Sequence, residues 1–173
     1  MTNLTTPVGA LDHIEGKPGA TVTLVEYGDY LCSHSAEAHP LIKRLMKEFH
    51  NELQFVFRNF PDESHPEGLI AAQAAEAAGL QNKFWEMHDL IFEQLEQLTE
   101  DNLVYFAETL NLNVERFEND RTSQNVLSKI ESDIESGIRN YVEDTPTFFI
   151  NDERIENYDE TYESLANAIR KAE

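Results

Sequence analysis

Apolar residues along the chain follow a strand-like pattern, then a sustained helical one, and then a strand-like pattern again. Thr21–Tyr27 and Leu53–Phe60 are short runs rich in β-branched and aromatic residues, so both are predicted as buried strands. A helical pattern from Ala36 to about His50 joins them, which predicts a parallel β–α–β unit. Pro40 lies inside this helical pattern and is expected to kink the helix.

The next part of the chain, residues 66–140, is almost entirely helical in pattern. Apolar residues form one stripe along Lys83–Leu95 and repeat every four residues within Thr122–Asn140. Strand-forming residues return only at Thr147–Ile150, which precede a turn, a short return strand at Arg154–Ile155 and a final amphipathic helix. This order predicts an α/β fold in which a small mixed sheet is interrupted by a helical insertion.

The predicted elements divide the chain into three parts. Residues 1–20 contain Pro and Gly at several positions and are predicted to form an N-terminal arm plus a turn. Residues 21–62 and 141–173 form the core that contains the sheet. Residues 63–140 form the helical insertion, which is expected to pack over the face that carries the single cysteine.

Charge and length exclude several classes of function. The 173 residues include 33 acidic and 13 basic ones, a formal net charge of −20, so nucleic acid and anionic membranes are not expected as partners. No run approaches the about 18 apolar residues of a membrane span. The N-terminal segment has neither the basic nor the apolar part of a secretory signal, and we therefore expect a cytoplasmic protein.

The strongest chemical candidate is the only cysteine, Cys32, at the predicted junction of a strand and a helix. A helix N-terminus favours the thiolate, which is the nucleophilic form of sulfur. Ser35 follows three residues later, on the same helix face, and its hydroxyl is expected to hydrogen-bond to the sulfur. In origin, Ser35 is either the natural residue or an introduced replacement for a second cysteine. In role, it is either a hydrogen-bond partner of the sulfur or only a helix-capping residue.

Taken together, these segments resemble the DsbA-like branch of the thioredoxin superfamily. The likeness extends to stand-alone bacterial members and to the similar domain fused to some sodium/proton antiporters. Val22–Tyr30 resembles the family's first core strand, and Cys32-Ser33-His34-Ser35 occupies its Cys-x-x-Cys position. Phe55–Pro61 with His65-Pro66 resembles its second strand and the entry to the insertion, and Ala74–Ala78 with Phe84–His88 resembles the insertion itself. Thr145–Asn151 resembles its cis-proline strand.

The resemblance implies a thioredoxin-like fold and thiol–disulfide exchange at Cys32. With Ser35 in the second position, a mixed disulfide has to be released by an external thiol. His34 is expected to stabilise the thiolate. Glu26 is either a buried acid with a raised pKa that carries the thiol proton, or a carboxylate facing solvent. The Thr145–Pro146 bond is expected to be cis, with its backbone offered to a substrate peptide.

The expected partner is a protein or peptide disulfide, or glutathione as a co-substrate, and no cofactor is expected. The histidines are scattered without zinc-site spacing, so no metal site is predicted. One alternative is a glutathione-dependent transferase or isomerase, for which Lys43, Arg44 and Lys47 would have to supply a basic patch. A second alternative is a non-catalytic binding module that retains the fold.

Overall fold

The computed structural model describes residues 3–173, in which five strands form one mixed sheet in the order β1-β3-β2-β4-β5. The parallel pair β2 and β3 is connected by the long helix α1, and the remaining neighbours are antiparallel. The predicted β–α–β unit is therefore present. The bounds of these elements are His13–Gly16 for β1, Val22–Gly28 for β2, Ser33–Glu48 for α1, Leu53–Asn59 for β3, Thr147–Ile150 for β4 and Glu153–Arg154 for β5.

Five α-helices and a short 3₁₀ turn lie between β3 and β4 in the described chain, and one further helix follows β5. Residues 63–140 contain no strand in this structure, which confirms that the insertion is helical. Thr99 accepts a hydrogen bond from Asn102 N and caps one of these helices, as its position suggested. The bounds are Pro66–Gly79 for α2, Phe84–Glu93 for α3, Leu95–Gln97 for the 3₁₀ turn, Glu100–Thr109 for α4, Val114–Arg121 for α5, Gln124–Arg139 for α6 and Tyr162–Ala172 for α7.

Apolar side chains pack on both faces of the sheet. The larger cluster joins Leu24 on β2 to Ile42 on α1, to Leu165 on α7 and to the insertion. The smaller cluster includes Val25, which points to the opposite face because successive strand residues alternate, together with Leu4 of the N-terminal segment. The sheet is thus enclosed, and its functional groups lie at the end where β2 meets α1.

Strand β1 corrects the prediction for residues 1–20, which assigned an arm and a turn to this segment. His13–Gly16 pairs with Gln54–Phe57 of β3, and its side chains are half-buried or exposed rather than apolar and buried. The His13 ring stacks on Phe84 at 3.7 Å, and its Nε2 lies 2.7 Å from Glu76. Met1 and Thr2 of the predicted arm lie outside the described residues.

Helix α1 also differs from its prediction at the N-terminal end. It begins at Ser33 instead of Ala36, so that Cys32 becomes the N-cap residue. The helix continues through Pro40 to Glu48. These three additional residues bring Ser35 into the first helical turn, directly behind the cysteine.

Candidate active site

Cys32 lies at the N-cap position of α1, immediately after the loop that follows β2. Its backbone is extended, with φ −76° and ψ 122°, and no side chain in the described chain caps this helix. The half-buried thiol donates a hydrogen bond to the carbonyl oxygen of Thr145, with 3.1 Å between Sγ and O. The unsatisfied N–H groups of the first turn and the helix dipole favour negative charge at this position. The position at a helix N-terminus is therefore the physical reason to expect a reactive thiol at Cys32.

Thr145 and Pro146 form the wall opposite the cysteine. The peptide bond between them is cis, as expected from the resemblance. Pairing between β2 and β4 begins at Tyr27 and Thr147, so Thr145 precedes the ladder and its main chain is beside the sulfur. The arrangement places an extended stretch of backbone next to the candidate nucleophile.

Ser35 is fully buried, and its hydroxyl oxygen accepts a hydrogen bond from the backbone N–H of Asp29 at 3.3 Å. Among residues 3–173 no hydrogen bond joins Ser35 to Cys32, so the expected bond is not formed, and the thiol donates to Thr145. Ser33 and His34 in the same first turn of α1 are exposed, so Ser35 occupies the inward face of that turn. It therefore supports the loop before Cys32 rather than the sulfur itself.

His34 lies in the first turn of α1, and its side chain is exposed. Its Nδ1 lies 2.7 Å from Oε1 of Glu160, in the loop before α7. Within residues 3–173, no hydrogen bond joins the ring to Cys32. The expected role of His34 in stabilising the thiolate stays a prediction, and the structure supplies a carboxylate as its direct partner.

Glu26 is a buried acid, and the solvent-facing alternative is wrong. It stands on β2 opposite Phe57 on β3 and Phe148 on β4, and is 2% exposed. Its Oε1 has no hydrogen-bond partner among the described residues. Burial away from water raises the pKa of this carboxyl from 4.5 to about 8. The role of Glu26 as a proton carrier for the thiol stays a prediction.

Asp29 is a site residue that the sequence analysis did not identify. Its carboxylate, 4% exposed, accepts hydrogen bonds from the backbone N–H of Leu31 at 2.9 Å and of Asp62 at 3.1 Å. It therefore joins the loop before Cys32 to the loop after β3. The bond to Leu31, two residues on, is an Asx turn, and an Asp shortly before a helix was the signal for it.

These loops surround an open cleft of about 960 Å³ with Cys32 in its wall. Thr145 and Pro146 form one side, and Ile134 and Ile138 of α6 contribute an apolar part of another. The insertion thus covers part of the cysteine face, as predicted. No Lys or Arg lines the cleft in the part of the chain that the structure describes.

The basic residues considered for glutathione binding lie elsewhere on α1. Lys43 Nζ is 3.1 Å from Glu15 and 2.8 Å from Asp89. Arg44 stacks over the ring of Tyr162, 3.7 Å from its centroid. Lys43, Arg44 and the exposed Lys47 are not among the described residues that line the Cys32 cleft, so they do not supply the basic patch that the glutathione-dependent alternative requires there.

Two groups of side chains have ligand atoms close enough to hold a metal ion. His39, His88 and Asp89 form a buried group, and His34, Glu37 and Glu160 form an exposed one. In the first group, the ammonium of Lys43 already neutralises Asp89, and burial lowers the pKa of both histidines. The expectation that the chain has no metal site stays a prediction.

Known proteins are similar to this chain in sequence and in fold. A family model described as thioredoxin matches residues 10–171. The chain is 39% identical over 144 residues to Na(+)/H(+) antiporter NhaA 1 of Salinispora arenicola, a match covering 83% of this chain and 22% of that protein. It is 37% identical over 163 residues to Na(+)/H(+) antiporter NhaA of Herminiimonas arsenicoxydans, covering 93% and 26%. The chain thus spans about a quarter of these relatives, and none of its described helices is long and apolar enough to cross a membrane.

Solved structures resemble more than nine tenths of the chain. BdbD from Bacillus subtilis superposes with a TM-score of 0.82 at 25% identity, covering 94% of this chain and 92% of that one. A thioredoxin-like oxidoreductase from Silicibacter pomeroyi gives 0.85 at 23% identity, with coverages of 95% and 93%. The thiol-disulfide exchange protein alpha-DsbA2 from Wolbachia pipientis gives 0.81 at 18% identity, with coverages of 92% and 86%. The predicted DsbA-like α/β fold is confirmed.

Proposed function

Because the chain belongs to the thioredoxin family, we propose that it carries out thiol–disulfide exchange with Cys32 as its single reacting thiol. One observation carries the proposal: a half-buried thiol at a helix N-cap opens into a cleft, beside the backbone that precedes a cis-proline. The names of similarly folded proteins, an oxidoreductase and a thiol-disulfide exchange protein, support it. Cytoplasmic location stays a prediction from the sequence.

The proposed reaction has two steps. The Cys32 thiolate attacks one sulfur of a substrate disulfide; a new S–S bond forms, the old one breaks, and the other sulfur leaves as a thiolate. An external thiolate then attacks the substrate sulfur of this mixed disulfide and releases Cys32 as a thiolate. One disulfide replaces another without net oxidation, so no cofactor is needed. The buried hydroxyl of Ser35 cannot perform the second step, which requires a thiolate.

The cleft favours this hypothesis over the glutathione-dependent transferase. Glutathione is anionic, and the cleft wall offers its carboxylates no Lys or Arg among the described residues. Glutathione remains a candidate for the external thiol, which needs access to the sulfur only. The binding-module alternative differs in one measurable respect, because it does not require an activated thiol.

Thiol reactivity in the folded and unfolded chain separates thiol–disulfide exchange from the binding module. We expect Cys32 to react with a small neutral disulfide faster in the native protein than in urea, and intact mass should show one adduct that dithiothreitol removes. Cys32→Ser is the matched control and should give no adduct. Slower reaction in the native protein than in the unfolded chain would contradict the proposal and support the binding module.

A further inference from the structure

Five exposed carboxylates surround the Cys32 cleft. They belong to the loop after β3, the loop before β4 and the loop before α7: Asp62, Glu63, Glu143, Asp144 and Glu160. Exposed carboxylates are ionised at neutral pH. The basic groups among the described lining residues are two histidines, His34 beside Glu160 at 2.7 Å and His65 beside Asp62 at 3.5 Å. The rim around the thiol is therefore strongly negative.

An apolar slot of about 350 Å³ adjoins this rim. Leu69 of α2 and Leu127 and Ile130 of α6 line it. The slot and the Cys32 cleft share Pro61 and Ile134 in their walls, so they form one continuous surface. A ligand that reaches the sulfur can therefore place an apolar side chain against α2 and α6.

We propose that this surface selects an extended polypeptide segment with Lys or Arg beside its reacting cysteine and an apolar side chain a few residues away. The inference rests on the proposed function, because the reaction at Cys32 places the substrate sulfur within the negative rim. Two features besides the carboxylates point to a polypeptide. The backbone of Thr145 is next to the sulfur, and the apolar slot continues from the cleft.

Charge complementarity decides which polypeptide binds. A cleft lined by one sign of charge attracts ligands of the opposite sign and raises their association rate, typically by about 10 to 10³-fold. The formal net charge of −20 reinforces this field. Salt weakens it, because the screening length falls from about 30 Å at 0.01 M to about 8 Å at 0.15 M ionic strength. The preference should therefore be largest at low ionic strength.

The test uses three peptide disulfides that share a leaving thiol and differ only in the residues beside the cysteine: Lys, Gln or Glu. The rate of mixed-disulfide formation with Cys32 is measured by mass at low and high salt. We expect the Lys peptide to react at least about tenfold faster than the Glu peptide at low salt. The Gln peptide should lie between them, and the differences should shrink at high salt.

Two double variants assign the preference to the rim. Glu143→Gln with Asp144→Asn removes two rim charges, and Asp101→Asn with Glu108→Gln removes two exposed charges on α4, which does not line the cleft. The rim variant should show a smaller ratio of the Lys rate to the Glu rate than the natural sequence, because two of the five rim carboxylates are neutralised. The α4 variant should retain the preference of the natural sequence.

The outcomes separate this inference from the proposed function. Equal rates for all three peptides, with a fast native thiol, would overturn charge selection and leave thiol–disulfide exchange intact. A Lys preference that is unchanged in the rim variant would overturn the assignment to these carboxylates. A native thiol that reacts with no peptide, although the unfolded chain does, would overturn both proposals.

Discussion

The buried carboxyl of Glu26 makes a strong prediction about stability and pH. Its folded-state pKa is about 8 because burial removes water and no hydrogen bond in the described chain replaces it at Oε1, whereas its ordinary value is 4.5. Below pH 4.5 both the folded and the unfolded chain hold the proton, and the group has no effect. Between pH 4.5 and 8 the unfolded chain releases the proton while the folded chain keeps it, so folding loses stability as the pH rises.

The magnitude follows from linkage. Each pH unit in this interval costs about 1.36 kcal/mol, so the interval from pH 4.5 to 7 costs about 3.4 kcal/mol. Glu26→Gln has nearly the same shape and cannot ionise. Any packing difference between the amide and the protonated acid is independent of pH. The variant should therefore gain stability over the natural sequence steadily from pH 5 to pH 8.

The assay is urea unfolding followed by circular dichroism at pH 5, 6, 7 and 8. The difference in unfolding free energy between Glu26→Gln and the natural sequence should grow by about 1.4 kcal/mol per pH unit and level off above pH 8. Glu93→Gln is the control, an exposed residue with no ion pair among the described residues, and should show no such slope. A difference that does not change with pH, or a Glu26 carboxyl that titrates near 4.5 by carbon-13 NMR, would refute this reasoning.

Three further predictions concern the rest of the chain. Ser35→Cys should form a disulfide with Cys32, which intact mass detects as the loss of two hydrogens. This variant should also reduce a protein disulfide when a reductant is supplied, because an intramolecular thiolate can resolve the adduct. A disulfide without any exchange activity would favour the binding module. Gly137→Ala should destabilise the protein by about 1–3 kcal/mol in urea unfolding, because the added Cβ would lie 2.5 Å from the Phe60 ring. The control Ser132→Ala, on the exposed face of α6, should change the stability little. Equal unfolding midpoints for the two variants would contradict the packing argument. Asp12→Asn should lower the free energy of unfolding by about 3–5 kcal/mol, because buried Arg58 loses the carboxylate 2.9 Å from its Nε. Burial alone raises the pKa of Asp12, but the hydrogen bonds from Arg58 lower it overall, so this contribution should disappear as the pH falls through the acid range. A variant as stable as the natural sequence at pH 7 would disprove this argument.

Local patterns were sufficient for most of the elements and for the position of the thiol. The strand Thr147–Ile150 and the helical character of residues 63–140 follow from periodicity, which depends only on residues close in sequence. Cys32 at the start of α1 follows in the same way, since a strand-to-helix junction is a local feature. The resemblance to DsbA-like proteins then supplied the cis bond before Pro146.

Contacts between distant segments were decided only in the folded chain. The four residues of β1 form a strand because β3 pairs with them. Their sequence lacks the run of buried apolar residues by which the other strands were predicted, since in the folded chain they are half-buried or exposed. The partner of His34 is Glu160, and the two alternatives for Glu26 were separated by the aromatic residues on its neighbouring strands. The negative rim likewise combines three loops that are far apart in sequence. The burial of a side chain, the pairing of a strand and the local electrostatic field depend on every neighbour in space. A pattern along the chain contains information only about neighbours that are close in sequence.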